Sequence, residues 1–154
     1  MIFSEHTLRL LRVVHVLAAI LFLGNVIVTG VWSTLMHRQR ATVDFRHAAR
    51  AIIVTDWLFT VGGAMLLVAS GLSIAIGRGY PVLGTRWIRD GVIGLAIATA
   101  IWLIVLVPVQ RRLVRCGPGD EAERDRLFQR WNVAGWCAVL PLLYSLWSMI
   151  YKPA

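Results

Sequence analysis

Three ionisable side chains stand in or beside long apolar runs: His15 in LRVVHVLAAILFLGN (11–25), Asp56 at the head of DWLFTVGGAMLLVASGL (56–72), and Asp90 beside Arg86 and Arg89. An imidazole among aliphatic residues can serve as an axial ligand to a haem iron, relay a proton or contribute to a cation site. It can equally be an interior histidine bonded to Asp90, a serine or a backbone carbonyl. Asp56 ends the basic helix start RAIIVTD (50–56). It offers a proton or substrate contact, or an interface ion pair with Arg50 or Arg111. Asp90 can bond the histidine ring and so orient a ligating His15 from behind.

Which chemistry is open depends on the solvent around these groups. The chain has 154 residues, 58% of them hydrophobic and 16% charged, where a soluble domain carries about a quarter charged residues. The charges are also segregated: Val13–Met36, Trp57–Gly77, Val92–Gln110 and Trp131–Tyr151 hold no Asp, Glu, Lys or Arg. Each run is long enough to cross a hydrocarbon core, which takes roughly 20 helical residues. A soluble bundle would need a polar stripe along every helix. The expected fold is therefore all-α, a single polytopic membrane domain over 1–154 built as a bundle of four transmembrane helices. The spans are expected at 10–36, 51–77, 89–110 and 127–151. Gly77, Gly79, Pro81 and Gly84 punctuate the second connection and CGPGD (116–120) the third, as helix-stop and turn chemistry requires. The charged stretch DEAERDRLFQR (120–130) extends the fourth helix back toward Asp120.

The net charge of +8 comes mostly from arginines in the connections, where they orient a membrane protein. Nucleic acid is not an expected partner, since no basic helix is interleaved with aromatics. Arg38, Arg40, Arg46, Arg50, Arg111, Arg112, Arg115, Arg124 and Arg126 fall in the first and third connections, against Arg9, Arg12, Arg78, Arg86, Arg89 and Lys152 on the other side. That asymmetry predicts a multi-pass protein of the bacterial inner membrane with both termini outside the cytoplasm. The two cysteines, Cys116 and Cys137, share no metal-like spacing, and a disulfide is not expected. The first span is too long for a signal h-region and is read as retained.

A rotation of about 100° per residue divides each span into faces. Ala19, Phe22, Val26, Thr29 and Ser33 share the side of His15, while Leu17, Ile20, Leu21, Ile27, Val28 and Val31 form an aliphatic side for lipid. Thr60, Gly63, Ser70, Gly71 and Ile74 lie with Asp56, and Leu58, Val61, Met65, Leu72 and Ile76 lie opposite. Gly71, Ala75 and Gly79 form a small-residue series suited to close helix approach. On the third span Asp90, Gly94, Ile97, Ile101 and Pro108 align. On the fourth, Ala134, Ala138, Pro141, Ser145 and Ser148 do, with a kink expected at Pro141. By depth His15 and Asp90 share one level, whereas Asp56, Asn132 and His37 belong to the other. Of seven tryptophans, six sit near span ends as interfacial anchors and Trp102 is deep.

No Gly-rich phosphate loop, serine elbow or metal-spaced Cys/His cluster occurs, which speaks against an autonomous hydrolase or a nucleotide-driven pump. Through LRVVHVLAAILFLGN (11–25), DWLFTVGGAMLLVASGL (56–72) and LWSMIYKP (146–153), the chain resembles a bacterial family of predicted four-span integral membrane proteins, domain of unknown function 2269. The resemblance covers nearly the whole chain and implies topology. A more distant likeness is to the HemJ-type protoporphyrinogen oxidases and CopD-like copper-resistance membrane proteins. It is carried by His15 and Gly24, with LFLG (21–24) standing where those families have Trp-Phe-Ala-Gly. That likeness implies His15 as the tetrapyrrole or metal contact.

Three functions follow as expectations. The first is a redox-linked protein in which His15 ligates a b-type haem, with Asp90 or an arginine of that level orienting the ring or a propionate. The second is a non-catalytic partner or assembly subunit that docks other membrane helices or a second copy of itself. The third is a small transporter or proton path using Asp56.

Overall fold

The computed structural model describes residues 3–39, 45–117 and 119–153; Arg40 of the first connection lies outside them. In lipid every backbone N–H and C=O has to be satisfied within the chain, which leaves helices as the solution for apolar runs of this kind. The first span is α1 (Glu5–Arg38), capped by Ser4, whose side chain accepts from the Thr7 amide at 3.2 Å. At 1.5 Å per residue α1 is roughly 51 Å long, more than the ~30 Å hydrocarbon core, so its charged ends project. The second span comprises α2 (Phe45–Thr55), a π-helical stretch (Asp56–Val61) and α3 (Gly62–Gly77). The third repeats that pattern with α4 (Arg86–Ile101), a second π stretch (Trp102–Leu106) and α5 (Val107–Arg115). The fourth is α6 (Glu121–Tyr151), unbroken through Pro141. Among the described residues four helical segments are long and apolar enough to span a bilayer: Glu5–Arg38, Arg50–Gly77, Arg86–Arg115 and Glu121–Tyr151.

The exposed surface agrees with a lipid environment. Ile104 and Ile150 are each 74% exposed, Met65 68% and Val28 64%. An apolar belt of that extent is stable only against hydrocarbon or another apolar partner. The side expected to face lipid on α1 is exposed at Leu17, Ile20, Leu21, Val28 and Val31, while Phe22 and Ser33 on the His15 side are buried.

The four spans are arranged as a ring in chain order. α1 packs on α3, α4 packs on α6, and α1 crosses α6, whereas the second and third spans meet through α2 and α5. Their other halves, α3 and α4, make no close approach among the described residues. The connection at residues 78–85 joins them, so the ring stands open between α3 and α4 at the end bearing both termini.

Glycines set two of the closest crossings. A methyl on Gly63 would lie 3.1 Å from Phe22 Cβ, where α3 crosses α1. One on Gly94 would lie 2.6 Å from the Pro141 carbonyl oxygen, where α4 crosses α6. Gly79, by contrast, does not serve the small-residue packing series. It lies beyond the end of α3 with φ +71°, where the Tyr80 amide reaches the Ala75 carbonyl (2.9 Å) and the Gly79 amide the Ile76 carbonyl (3.0 Å). That is a helix-terminating turn whose left-handed position favours glycine.

The aligned row expected on the third span is also corrected. Ile97 is 47% exposed, and the buried row is Ile88, Gly91, Gly94 and Ala98. After the π stretch it passes to Leu106, Val109, Gln110 and Leu113, because a π turn inserts a residue and shifts the helix phase. At the end away from the termini, Leu106, Val109, Leu113, Leu127, Phe128 and Trp131 form a core cluster. Trp131 is thus an interior residue and not an interfacial anchor. His37 stacks on Phe128 with ring centroids 3.9 Å apart and lies 3.5 Å from Asp125, which ties α1 to the extension of α6.

Candidate functional site

Asp56 is the first residue of the π stretch of the second span and is buried, at 7% exposure. Its carboxylate oxygens accept from Gln110 Nε2 at 2.7 Å, from Thr60 Oγ1 at 3.4 Å and from Asn25 Nδ2 at 3.5 Å; Asn25 also donates to Thr60 at 3.0 Å. Three spans supply these groups, and none of them is charged. Neither Arg50 nor Arg111 reaches the carboxyl: both are exposed on other faces of their helices. The expected interface ion pair is therefore not formed, and neutral donors take its place.

Both π stretches border the same space. Trp57 of the second span and Trp102 of the third meet edge to face with ring centroids 6.1 Å apart. π turns are rare and tend to occur at functional sites, because they push side chains off the regular helical lattice. Here they face a cavity of about 40 Å³ lined by residues of all four spans, among them Thr29, Asp56, Thr60, Trp102, Trp131 and Asn132. The indole nitrogen of Trp131 and Oδ1 of Asn132 are buried and make no hydrogen bond among the described residues, and the buried indole nitrogen of Trp102 faces the Asp56 carboxyl.

A family of predicted integral membrane proteins, DUF2269, matches residues 9–153. The chain belongs to that family. No curated protein and no solved structure matches it.

In this DUF2269 chain His15 lies at a separate level. Its Nδ1 is 3.0 Å from the Leu67 carbonyl oxygen and 3.1 Å from Ser70 Oγ. The Ser70 hydroxyl proton goes to the Leu66 carbonyl at 2.6 Å, so both neighbours of Nδ1 are acceptors and Nδ1 carries the proton of the neutral ring. Nε2 then presents its lone pair, with no hydrogen bond among the described residues. Glycine at 71 makes room for the ring, since a methyl there would lie 2.9 Å from His15 Cε1. Leu67 follows Asp56 by eleven residues, about 16 Å along a helix, and the two sites share no partner.

Asp90 does not join His15. It accepts from Tyr144 Oη at 3.2 Å, and Arg89 Nε is 3.9 Å away. The reason is the ring order: α1 and α4 are diagonal and make no close approach. Leu67 and Ser70 hold the position behind His15 that Asp90 was expected to take. Among the described residues no group of three or more His, Cys, Asp or Glu side chains is placed to hold a metal ion.

Sequence reasoning placed Asp56 and Asn132 at one level, Thr60 on the Asp56 face and Trp102 deep in its span, but missed Asn25 and Gln110 as partners. Asn25 closes the quoted run LRVVHVLAAILFLGN and falls about 80° off the His15 face at 100° per residue. Gln110 lies past the second π stretch, where regular helical phase no longer applies.

Proposed function

We propose that this membrane protein carries a proton at Asp56, as part of a small proton path or proton-coupled transporter. The observation that carries the reading is a carboxyl group buried among four membrane spans and held only by neutral donors. An ionisable group at that depth is costly, and where it persists it commonly marks an ion or proton pathway. With no cationic partner, its charge is set by its own proton, so it can load and unload one without breaking an ion pair. Thr60, Asn25 and Gln110 hold the carboxyl in place in either state, since the amides and hydroxyl donate to the carboxylate and can also accept from the protonated form. The two facing π stretches support the same assignment. In the proposed topology both termini face outward from a bacterial inner membrane, and Asp56 lies in the cytoplasmic half. The test is proton flux into proteoliposomes. Asp56→Asn should stop it while leaving expression and folding intact, and undiminished flux would overturn the reading.

A second reading rests on His15. A ring pinned through Nδ1–H to a backbone carbonyl and presenting Nε2 is the arrangement that metal-ligating histidines adopt. A haem, which supplies one-electron chemistry when bound, would have to lie against the α1–α3 face at His15, since the cavity beside Asp56 is far too small for it. The test is the absorption spectrum of protein purified from haem-replete cells. A Soret band lost in His15→Ala supports the reading, and colourless parent protein removes it.

A further inference from the structure

The cavity beside Asp56 has a mostly apolar wall, in which two lining residues carry buried polar atoms that the chain leaves without partners. Trp131 is 7% exposed, and its indole nitrogen is fully buried and unbonded among the described residues. Asn132 Oδ1 is likewise buried and unbonded among the described residues, Trp102 Nε1 is buried facing the Asp56 carboxyl, and all three residues line the cavity together with Asp56 and Thr60. A buried N–H or C=O left unmade costs about 1–3 kcal/mol, so groups of this kind are normally satisfied by protein or by ordered water.

The sexes of these groups define what fits. Two indole N–H groups can only donate; the Asn132 carbonyl and the Asp56 carboxylate accept. A bare cation would face two positive N–H ends, and an anion would face Asp56. A molecule that both accepts and donates satisfies each of these polar groups within a wall that is otherwise apolar. The volume of about 40 Å³ admits roughly three or four waters, each needing about 10–15 Å³ by this measure.

We infer that this cavity is a binding site for a small water cluster, held by the Trp131 indole and Asn132, that joins Asp56 to the fourth span. Its role, though not its occupancy, rests on the reading of Asp56 as a proton carrier. In that role the carboxyl releases its proton to a water oxygen, which passes one of its own protons to the next water. One proton is displaced and no electrons change hands. The fourth span thereby acquires a part in proton exchange at Asp56 through Trp131 and Asn132, neither of which bonds it directly.

The experiment is water-edited solid-state NMR on the full chain in bilayers, with ¹⁵N-labelled tryptophan. The Trp102 and Trp131 indole signals are assigned by their loss in Trp102→Phe and Trp131→Phe. A second variant, Gly135→Val, fills the site from within: Gly135 lines the cavity, and a carbon added there meets nothing within 4 Å. The expected result is polarisation transfer from water to the Trp131 indole in the parent and its loss in Gly135→Val. A Trp131 indole that receives none in the parent would show a dry cavity and overturn the inference, as would transfer that survives Gly135→Val. Should one phenylalanine variant fail to fold, the parent spectrum against Gly135→Val decides alone. A dry Trp131 indole with flux still abolished by Asp56→Asn would remove the water cluster and leave the proposed function standing. A hydrated one with flux unchanged in Asp56→Asn would do the reverse.

Discussion

Replacing Gly94 by alanine tests the helix crossing on which the third and fourth spans depend. The added carbon falls 2.6 Å from the Pro141 carbonyl oxygen and also meets Ser145 Oγ, whereas ordinary contact begins at 3.4 Å. The carbonyl belongs to a helix backbone and cannot turn aside, so α4 and α6 must part locally by about 0.8 Å. A gap of about 0.5–1 Å forfeits a quarter to a half of each dispersion contact across it. The Ser145–Gly91 and Tyr144–Asp90 hydrogen bonds, at 3.4 and 3.2 Å, lie along the same seam and lengthen with it. Gly24→Ala is the matched control, since a carbon there meets nothing within 4 Å. Comparing the two alanine variants removes the helix preference of alanine over glycine, about 1 kcal/mol, that both share. The difference expected between them is about 1–3 kcal/mol, the usual cost of overpacking. Equilibrium unfolding in mixed micelles, followed by far-ultraviolet circular dichroism, measures it. Equal stability of Gly94→Ala and Gly24→Ala would refute the crossing as described.

Gln110→Leu removes the shortest bond to Asp56 and should cost about 1–2 kcal/mol in the same assay, at the upper end for interhelical hydrogen bonds in membranes. Adding Asp56→Leu should cost less than the sum of the two single changes, and strict additivity would show that the pair is not coupled. Cys116 lies between α5 and α6, with its thiol donating to the Arg112 carbonyl at 3.5 Å. With the proposed orientation a membrane-impermeant maleimide should label it only from the cytoplasmic side, and labelling of intact spheroplasts from outside would invert the topology.

The lipid-facing surfaces were legible because hydrocarbon imposes one requirement on every exposed side chain, and Leu17, Ile20, Val28 and Met65 meet it at regular helical spacing. Asp56, Thr60 and Gly63 could be placed on one interior face for the same reason. What could not be read was whatever depends on a change of helical phase or on neighbour order. The π stretch at 102–106 moves Gln110 onto the interior, while upstream of it the packing of α4 on α6 turns Ile88, Gly91, Gly94 and Ala98 inward and leaves Ile97 outside. Ring order makes α1 and α4 diagonal, so that two groups at one depth, His15 and Asp90, find separate partners. Trp131 shows that a tryptophan near the end of an apolar run carries no signal of its own: whether it anchors or packs is decided by α5 and the extension of α6, which enclose it.

The gap between α3 and α4 has a bearing on how the molecule has to be handled. The backbones of α3 and α4 make no close approach among the described residues, so in a bilayer acyl tails would reach that seam. Chain length and lateral pressure of the host membrane should then set how far the two hairpins stand apart, with the Asp56–Gln110 clasp as the fixed end of the tongs. A preparation in native-length lipids should therefore hold the Gln110–Asp56 hydrogen bond more closely than one in short-chain detergent.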